Sequence, residues 1–280
     1  MSVSEDNSSH WGSSYRLVAS EKWKAKSAIM GREATQALVD FADPKPGMQI
    51  LDLASGTGEP AISLASAVGP GGHVTALDLS QDLLDIANRR ARQRGLSNFR
   101  TQVADAQHLP FAENFFHLAT CRFGVMFFAD AVRALRELNR VLRPGARACF
   151  LAWGPVDQPY WASGMGVVHK HVGGALLVPG GADPFRFSEP GSLSAALAEA
   201  GFEDIQEEVR VIPWDWPGPP DEVWEQQKAV SAPFRPMLER VPEDQWPAIN
   251  AAVVEAIQKF QRGDTIHFTA TVVFASGRKA

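Results

Sequence analysis

Three carboxylates stand at regular stations in the first half of this chain, each at the end of an apolar run. Asp52 closes "MQILDL" and opens onto the loop "ASGTGEP", which contains Gly56, Gly58 and a second carboxylate, Glu59. Asp78 closes "HVTALD", and Asp105 follows "FRTQVA". Glycines after a strand let backbone N–H groups approach a ligand closely. The run Gly56-Thr57-Gly58-Glu59-Pro60-Ala61 also satisfies the dinucleotide fingerprint G-x-G-x-x-G/A. Charge argues against that ligand. A dinucleotide sets its pyrophosphate at the following helix N-terminus, where Asp52 and Glu59 would repel it.

The same two carboxylates suit a ligand that is cationic or carries an ammonium, and S-adenosylmethionine has both a sulfonium and an α-amine. Asp78 is placed to accept both ribose hydroxyls. Asp105 is placed to accept from the adenine amino group, with the Ala106 N–H reaching the ring. The plain alternative for "DAQHLP" is an Asx turn. Gly58 is expected to lie where a side chain would intrude on the ligand.

These residues need a sheet to hold them. Helical periodicity over 20–41 stops at "DPKPG". Strands then alternate with helices: "MQILDL", a helix entered at Pro60, "HVTALDL", and a helix from Ser80 as N-cap to Gly95 as stop. "FRTQVADA", "HLATCRFG", the helix "DAVRALRELNRVLRPG" and "ARACFLAW" continue the series. Nearly continuous apolar strands imply a parallel sheet covered on both faces, and ligands of such sheets sit beyond the strands' carboxyl ends. The tail reads differently. "EDIQEEVRVIPW" and "IHFTATVVFASG" alternate and are able to pair antiparallel at one edge, with helices between them.

Composition narrows the chemistry. A formal net charge of −5 leaves no basic footprint for nucleic acid. The two cysteines, Cys121 and Cys149, lie inside apolar strands, which provides neither a disulfide framework nor zinc spacing. No metal site is expected. No apolar stretch approaches a membrane span and the start "MSVSEDNSSH" is not a signal peptide, so a cytoplasmic location is the expectation. All eight tryptophans fall outside residues 24–152.

"ILDLASGTGEP", "VTALDLSQDLLDIA", "VADAQHLPF" and "ALRELNRVLRPGARACF" resemble, in order and spacing, the motifs of class I S-adenosylmethionine-dependent methyltransferases. The nearest branch is that of the ubiquinone/menaquinone C-methyltransferases and their small-molecule relatives. The likeness covers roughly residues 45–155. It implies a Rossmann-like, seven-stranded, mostly parallel α/β sheet of order 3-2-1-4-5-7-6 with strand seven antiparallel. By motif match it places the cofactor at Ala54, Ser55, Gly56, Gly58, Asp78, Leu79, Asp105, Ala106 and Cys121, to which the charge argument adds Asp52.

The expected organisation is one domain over 1–280, with N-terminal lid helices in 1–40, a cofactor core in 45–155, and substrate-cap insertions at 154–188 and 214–265. Trp11, Tyr15 and Trp23 are expected to fold over the cofactor. Trp11, Tyr15, Arg122, Trp153, Trp161 and His169 are expected to border the acceptor. Arg122, at a strand's carboxyl end, needs either an ion-pair partner or an anionic substrate group. On a helix starting near Tyr160, His169 lies about 60° from the centre of the stripe Trp161, Met165, Val168 and Val172. His169 and Tyr15 are the general-base candidates. The expected activity is methyl transfer from S-adenosylmethionine to a small apolar or aromatic acceptor. The alternative is a non-methylating or regulatory binder of that cofactor. Monomer and homodimer stay open.

Overall fold

The computed structural model describes residue 22 and residues 24–280. Five parallel strands form one side of the sheet: β1 (Gln49–Leu53), β2 (His73–Asp78), β3 (Phe99–Val103), β4 (Phe116–Arg122) and β5 (Leu142–Trp153). β6 (Phe202–Pro217) and β8 (Thr265–Lys279) complete it in the order β3-β2-β1-β4-β5-β8-β6, with β8 antiparallel to both neighbours. β8 thus fills the place of the expected antiparallel seventh strand. The difference is an eighth strand, β7 (Gln261–Arg262), which forms a short hairpin with β8. It arises because the preceding helix stops at Gln258 and the chain turns at Gly263, whose φ is +58°.

Helices cover the sheet as the strand pattern requires. α1 (Lys24–Met30) and α2 (Arg32–Ala42) replace the single helix expected over 20–41, and they meet at Gly31. α3 (Ala61–Val68) follows the glycine loop, and α4 (Gln81–Gln93) is capped by the Ser80 hydroxyl, which accepts from the Leu83 N–H. Gly95, at φ +71°, ends it as expected. Asp130 caps α5 (Ala131–Val141) in the same way, accepting from the Arg133 N–H at 2.9 Å.

α5 also secures the loop that carries Asp105. Glu137 accepts from the Leu109 N–H at 2.9 Å, and Arg140 donates to the carbonyls of Leu109 and Phe111, both at 2.9 Å. The Arg140 hydrogen bonds hold the Glu137 carboxyl below the usual range. Arg140→Met is therefore expected to lower stability by roughly 1.5 kcal/mol, the low end for charged hydrogen bonds because the pair is part-exposed. Chemical denaturation checks this, and an unchanged midpoint would show that the loop holds itself.

The cap is built over the sheet's carboxyl edge from α6 (Pro159–Ala162), α7 (Met165–Val172), α9 (Pro220–Val230), α10 (Arg235–Leu238) and α11 (Trp246–Gln258). α8 (Ser192–Glu199) instead packs on β6. β6 and β8 outrun β5. Val272 pairs with both Trp153 and Arg210, whereas Trp214 pairs with Phe268, four residues further along β6. At about 3.3 Å per residue the ribbon rises ~13 Å above the end of β5. It carries Trp214, Trp216 and Phe268, all buried, into the cap.

Candidate active site

β1 ends in a buried acid. Asp52 has no exposed surface, and its two carboxylate oxygens accept from the Ser55 and Thr120 hydroxyls, each at 2.6 Å. Burial pushes its pKa up to about 7; the two hydroxyls and Arg122 pull it down, and Glu59 pushes it further up. Asp52 is therefore beneath the glycine loop, not on the loop's outer face. Glu59 accepts from the Ser63 N–H and hydroxyl at 3.2 and 2.7 Å and pairs with Arg94 at 3.1 Å, which anchors the start of α3.

β2 ends in Asp78, whose oxygens accept from the Gly56 N–H at 2.8 Å and the Ser80 N–H at 3.0 Å. One side chain thus ties the glycine loop to the next loop, and an ionised carboxylate retains further lone pairs for a ligand. The following Leu79 leaves 43% of its surface exposed, an apolar platform beside that carboxylate. The two glycines differ. Gly56, at φ +52°, has open space where a Cβ would point. A Cβ on Gly58, at φ +111°, would meet Ile62 Cδ1 at 2.6 Å and Ala87 Cβ at 3.1 Å. The expectation that a Gly58 side chain would strike the ligand is corrected: it would strike the junction of α3 and α4. Gly58→Ala is expected to cost roughly 2 kcal/mol of stability through backbone strain and overpacking. A variant with full thermal stability and lost cofactor affinity would overturn that.

Beyond β3, Asp105 accepts from the Gln107 N–H at 2.9 Å and from the Gln107 side-chain amide at 3.2 and 3.0 Å. The Asx turn is present, and Gln107 caps the carboxylate. Ala106 is buried. Cys121, assigned to the cofactor by motif match, has a fully buried side chain, so only its backbone reaches the strand end. Burial raises its thiol pKa far above the ordinary value. Arg122 makes hydrogen bonds to neutral groups in place of the ion pair that was one of its two expected partners. Among the described residues it forms no ion pair; its Nη1 donates to the Gly31 carbonyl at 3.3 Å and the Thr35 hydroxyl at 2.9 Å. It thereby fixes the start of α2 against β4.

The loops after β1 and β4 press together through two residues in the left-handed region. Ala54 has φ +51° and Phe123 φ +55°, the latter an outlier for a bulky side chain. Gly124 between them and the core allows the approach, since its Cβ would lie 2.4 Å from that of Ala54. The turn at Phe123 lays its ring on Trp153, with centroids 4.5 Å apart and planes 20° apart. Trp153 in turn packs on Tyr160 (6.1 Å), Trp161 (5.3 Å) and Trp214 (5.0 Å). Five rings from the loop after β4 and from β5, β6 and α6 thus meet above the sheet, next to the glycine loop.

Of this nest, Trp153 and Trp161 were legible as candidates; Phe123, Tyr160 and Trp214 were missed. The signal for Trp214 was there: it closes an alternating strand parallel to β5. His169 stands apart. The helix expected from Tyr160 breaks at Ser163–Gly164, so the stripe changes phase, and the His169 ring bonds the Gly174 carbonyl at 2.9 Å on the exposed end of α7. Its placement facing a pocket is corrected. Trp11, Tyr15 and Trp23 lie outside the described residues.

A doubly wound sheet with acids at the carboxyl ends of β1, β2 and β3, and an aromatic cap above, defines a Rossmann-like small-molecule enzyme. The chain belongs to the ubiE/COQ5 methyltransferase family, whose model matches residues 27–172. It is an S-adenosylmethionine-dependent methyltransferase. The demethylmenaquinone methyltransferase of Thermus thermophilus is 38% identical over 176 residues, 59% of this chain and 78% of that relative. The nocamycin O-methyltransferase of Saccharothrix syringae is 27% identical over 276 residues, 88% of this chain and 91% of that one. The YcgJ protein of Bacillus subtilis shares the fold, with a TM-score of 0.57 at 21% identity, covering 88% of this chain and 97% of that one. Among the described residues no helix is long and apolar enough to cross a membrane, and no group of three or more His, Cys, Asp or Glu residues is arranged to hold a metal.

The residues present fit the cofactor. Open space at Gly56, an acid with free lone pairs at Asp78, the bare face of Leu79 and a buried acid under the loop match a loop-bound chain, a ribose, an adenine and a cation.

Proposed function

We propose that this methyltransferase acts on a small, planar, largely apolar acceptor received by the ring nest of Phe123, Trp153, Tyr160, Trp161 and Trp214. Asp78 holds the ribose of the cofactor, Leu79 and the Asp105–Ala106 turn hold its adenine, and the Gly56 loop holds its amino-acid end. Asp52 and Glu59 supply the negative field for its positive groups. When bound, the cofactor supplies an electrophilic methyl group. The observation that carries this reading is the contact of Gly124 with Ala54, which joins the cofactor loop to the aromatic nest within two residues of Phe123.

The chain's own contribution is alignment and a dry reacting centre. No side chain of the nest is placed as a base. Tyr160 is buried, its hydroxyl donates to Gln226 at 3.1 Å, and burial pushes its pKa well up. An acceptor that is already nucleophilic, such as an electron-rich phenol or hydroquinone, meets these conditions. The relatives named for quinone methylation support a ring acceptor. The O-methyltransferase relative, which also spans the cap, supports an oxygen target. The segments 154–188 and 214–265 serve as the acceptor's cover, and 45–155 as the cofactor core.

The test is transfer of labelled methyl from S-adenosylmethionine to a panel of hydroquinones and phenols, with the labelled atom located by NMR. Label on a ring acceptor is expected. Label only on non-aromatic amines or thiols would overturn the acceptor class.

A further inference from the structure

We propose that the indole N–H groups of Trp161 and Trp214 donate hydrogen bonds to oxygen atoms of the acceptor and select for them. The inference rests on the ring nest being the acceptor pocket. Both indoles are buried, at 6% and 5% exposure, and among the described residues neither Nε1 has a hydrogen-bond partner. Buried donors in folded proteins are almost always paired. Two other buried indoles of the cap are paired: Trp224 donates to Asn250 at 2.8 Å and Trp216 to Glu222 at 3.4 Å. The two buried indole donors that find no partner among the described residues both belong to the nest.

Their placement is shared. Trp161 lies 5.3 Å from Trp153 and 4.9 Å from Tyr160, and Trp214 lies 5.0 and 5.9 Å from the same two rings. A third unpaired atom, the Ser231 hydroxyl, belongs to the same wall. Phe234, whose N–H binds the Ser231 carbonyl at 3.0 Å, stacks on Trp161 at 5.3 Å. The unpaired Gln227 Oε1 is different. It presses on Gly164 while its amide donates to the Tyr160 carbonyl at 2.7 Å, so it belongs to the cap's own packing.

An indole only donates. The ligand must therefore present acceptors, which selects carbonyl, ether or phenol oxygen and disfavours an ammonium group or a bare hydrocarbon of the same shape. Stacking on Trp153 asks for a flat ring, and the two donors ask for oxygens at its edge.

The probes are 1,4-naphthoquinone and naphthalene, which share a ring system and differ by two carbonyl oxygens. Binding is measured by equilibrium dialysis to the full chain with S-adenosylhomocysteine present. Both cysteines are buried, which keeps thiol addition of the quinone from confusing the result. The quinone is expected to bind more tightly by tenfold or more. Trp161→Phe and Trp214→Phe should each weaken it about tenfold more than they weaken naphthalene, the scale of one hydrogen bond. In 15N–1H spectra of the unsubstituted protein, indole cross-peaks among its eight tryptophans should move on adding quinone and not naphthalene. That measurement decides the matter if a variant fails to fold.

Equal affinity for the two probes, equal losses for both in the variants, or unmoved indole peaks would overturn the donor role. Absence of both probes from a protein that still binds S-adenosylhomocysteine would instead overturn the acceptor-pocket reading on which this one rests.

Discussion

Asp78→Ala is expected to weaken S-adenosylhomocysteine binding by roughly 10- to 150-fold, the equivalent of about 1.5–3 kcal/mol of charge-assisted hydrogen bonding. Two losses combine. The carboxylate itself leaves the ribose, and the Gly56 and Ser80 N–H groups lose the acceptor that holds both loops in place. Asp78→Asn separates them. Its remaining carbonyl oxygen retains one loop tie, while its amide cannot accept two hydroxyls at once. Calorimetry with S-adenosylhomocysteine and its 2′-deoxy analogue reads the difference: the preference for the full ribose should shrink in both variants. If the preference survives in a folded Asp78→Ala protein, Asp78 holds only the loop and the ribose lies elsewhere.

How far such a site is legible in sequence depends on what each residue's role requires. Asp78 and Asp105 were legible because a strand that stops at an acid repeats with fixed topology, and parallel strands all end at one edge. Asp52 was legible as a strand-end acid, but at the wrong depth. Its burial comes from Ser55 and Thr120 closing on it, and Thr120 is contributed by a neighbouring strand 68 residues away. Gly58 was read by its motif as a ligand contact, whereas its Cβ direction is set by the meeting of α3 and α4. His169 was misjudged because a helical phase was carried through Gly164, where Gln227 from a distant helix wedges against the backbone. Each miss is a long-range contact overriding a local pattern.

The cap was the least legible part, and the family match explains why. It stops at Val172, the last residue of α7, so the ribbon of β6 and β8 with α9, α10 and α11 is outside it. The core carries the chemistry common to the family, and its residues repeat with the sheet. The cap, which we propose receives the acceptor, has aromatic residues that meet only because β6 outruns β5 and lifts Trp214 to the level of Trp161.

The second large effect is expected from Asp52 and appears as pH dependence. A carboxyl whose pKa is raised from 3.8 to about 7 on folding binds more protons in the folded than in the unfolded chain between those values. Its contribution to stability is therefore greatest below pH 3.8, falls as pH rises through the window, and is flat above about 7. The net shift, with the lowering by the Ser55 and Thr120 hydroxyls and Arg122 already in it, corresponds to roughly 4 kcal/mol as an upper figure. Asp52→Asn removes this slope, so the variant should gain on the unsubstituted protein in urea midpoint between pH 5 and pH 8. The same charge should read out in binding. S-adenosylmethionine is a sulfonium and S-adenosylhomocysteine a neutral thioether, so the ratio of their affinities reports the anion beneath the loop. That ratio is expected to rise through pH 7 in the unsubstituted protein and to stay flat in Asp52→Asn. Arg122→Met, which removes a cation that favours the ionised form, should move the rise to higher pH. A ratio independent of pH in all three proteins would mean that Asp52 braces the loop through its hydroxyl partners alone and that Glu59 carries the field.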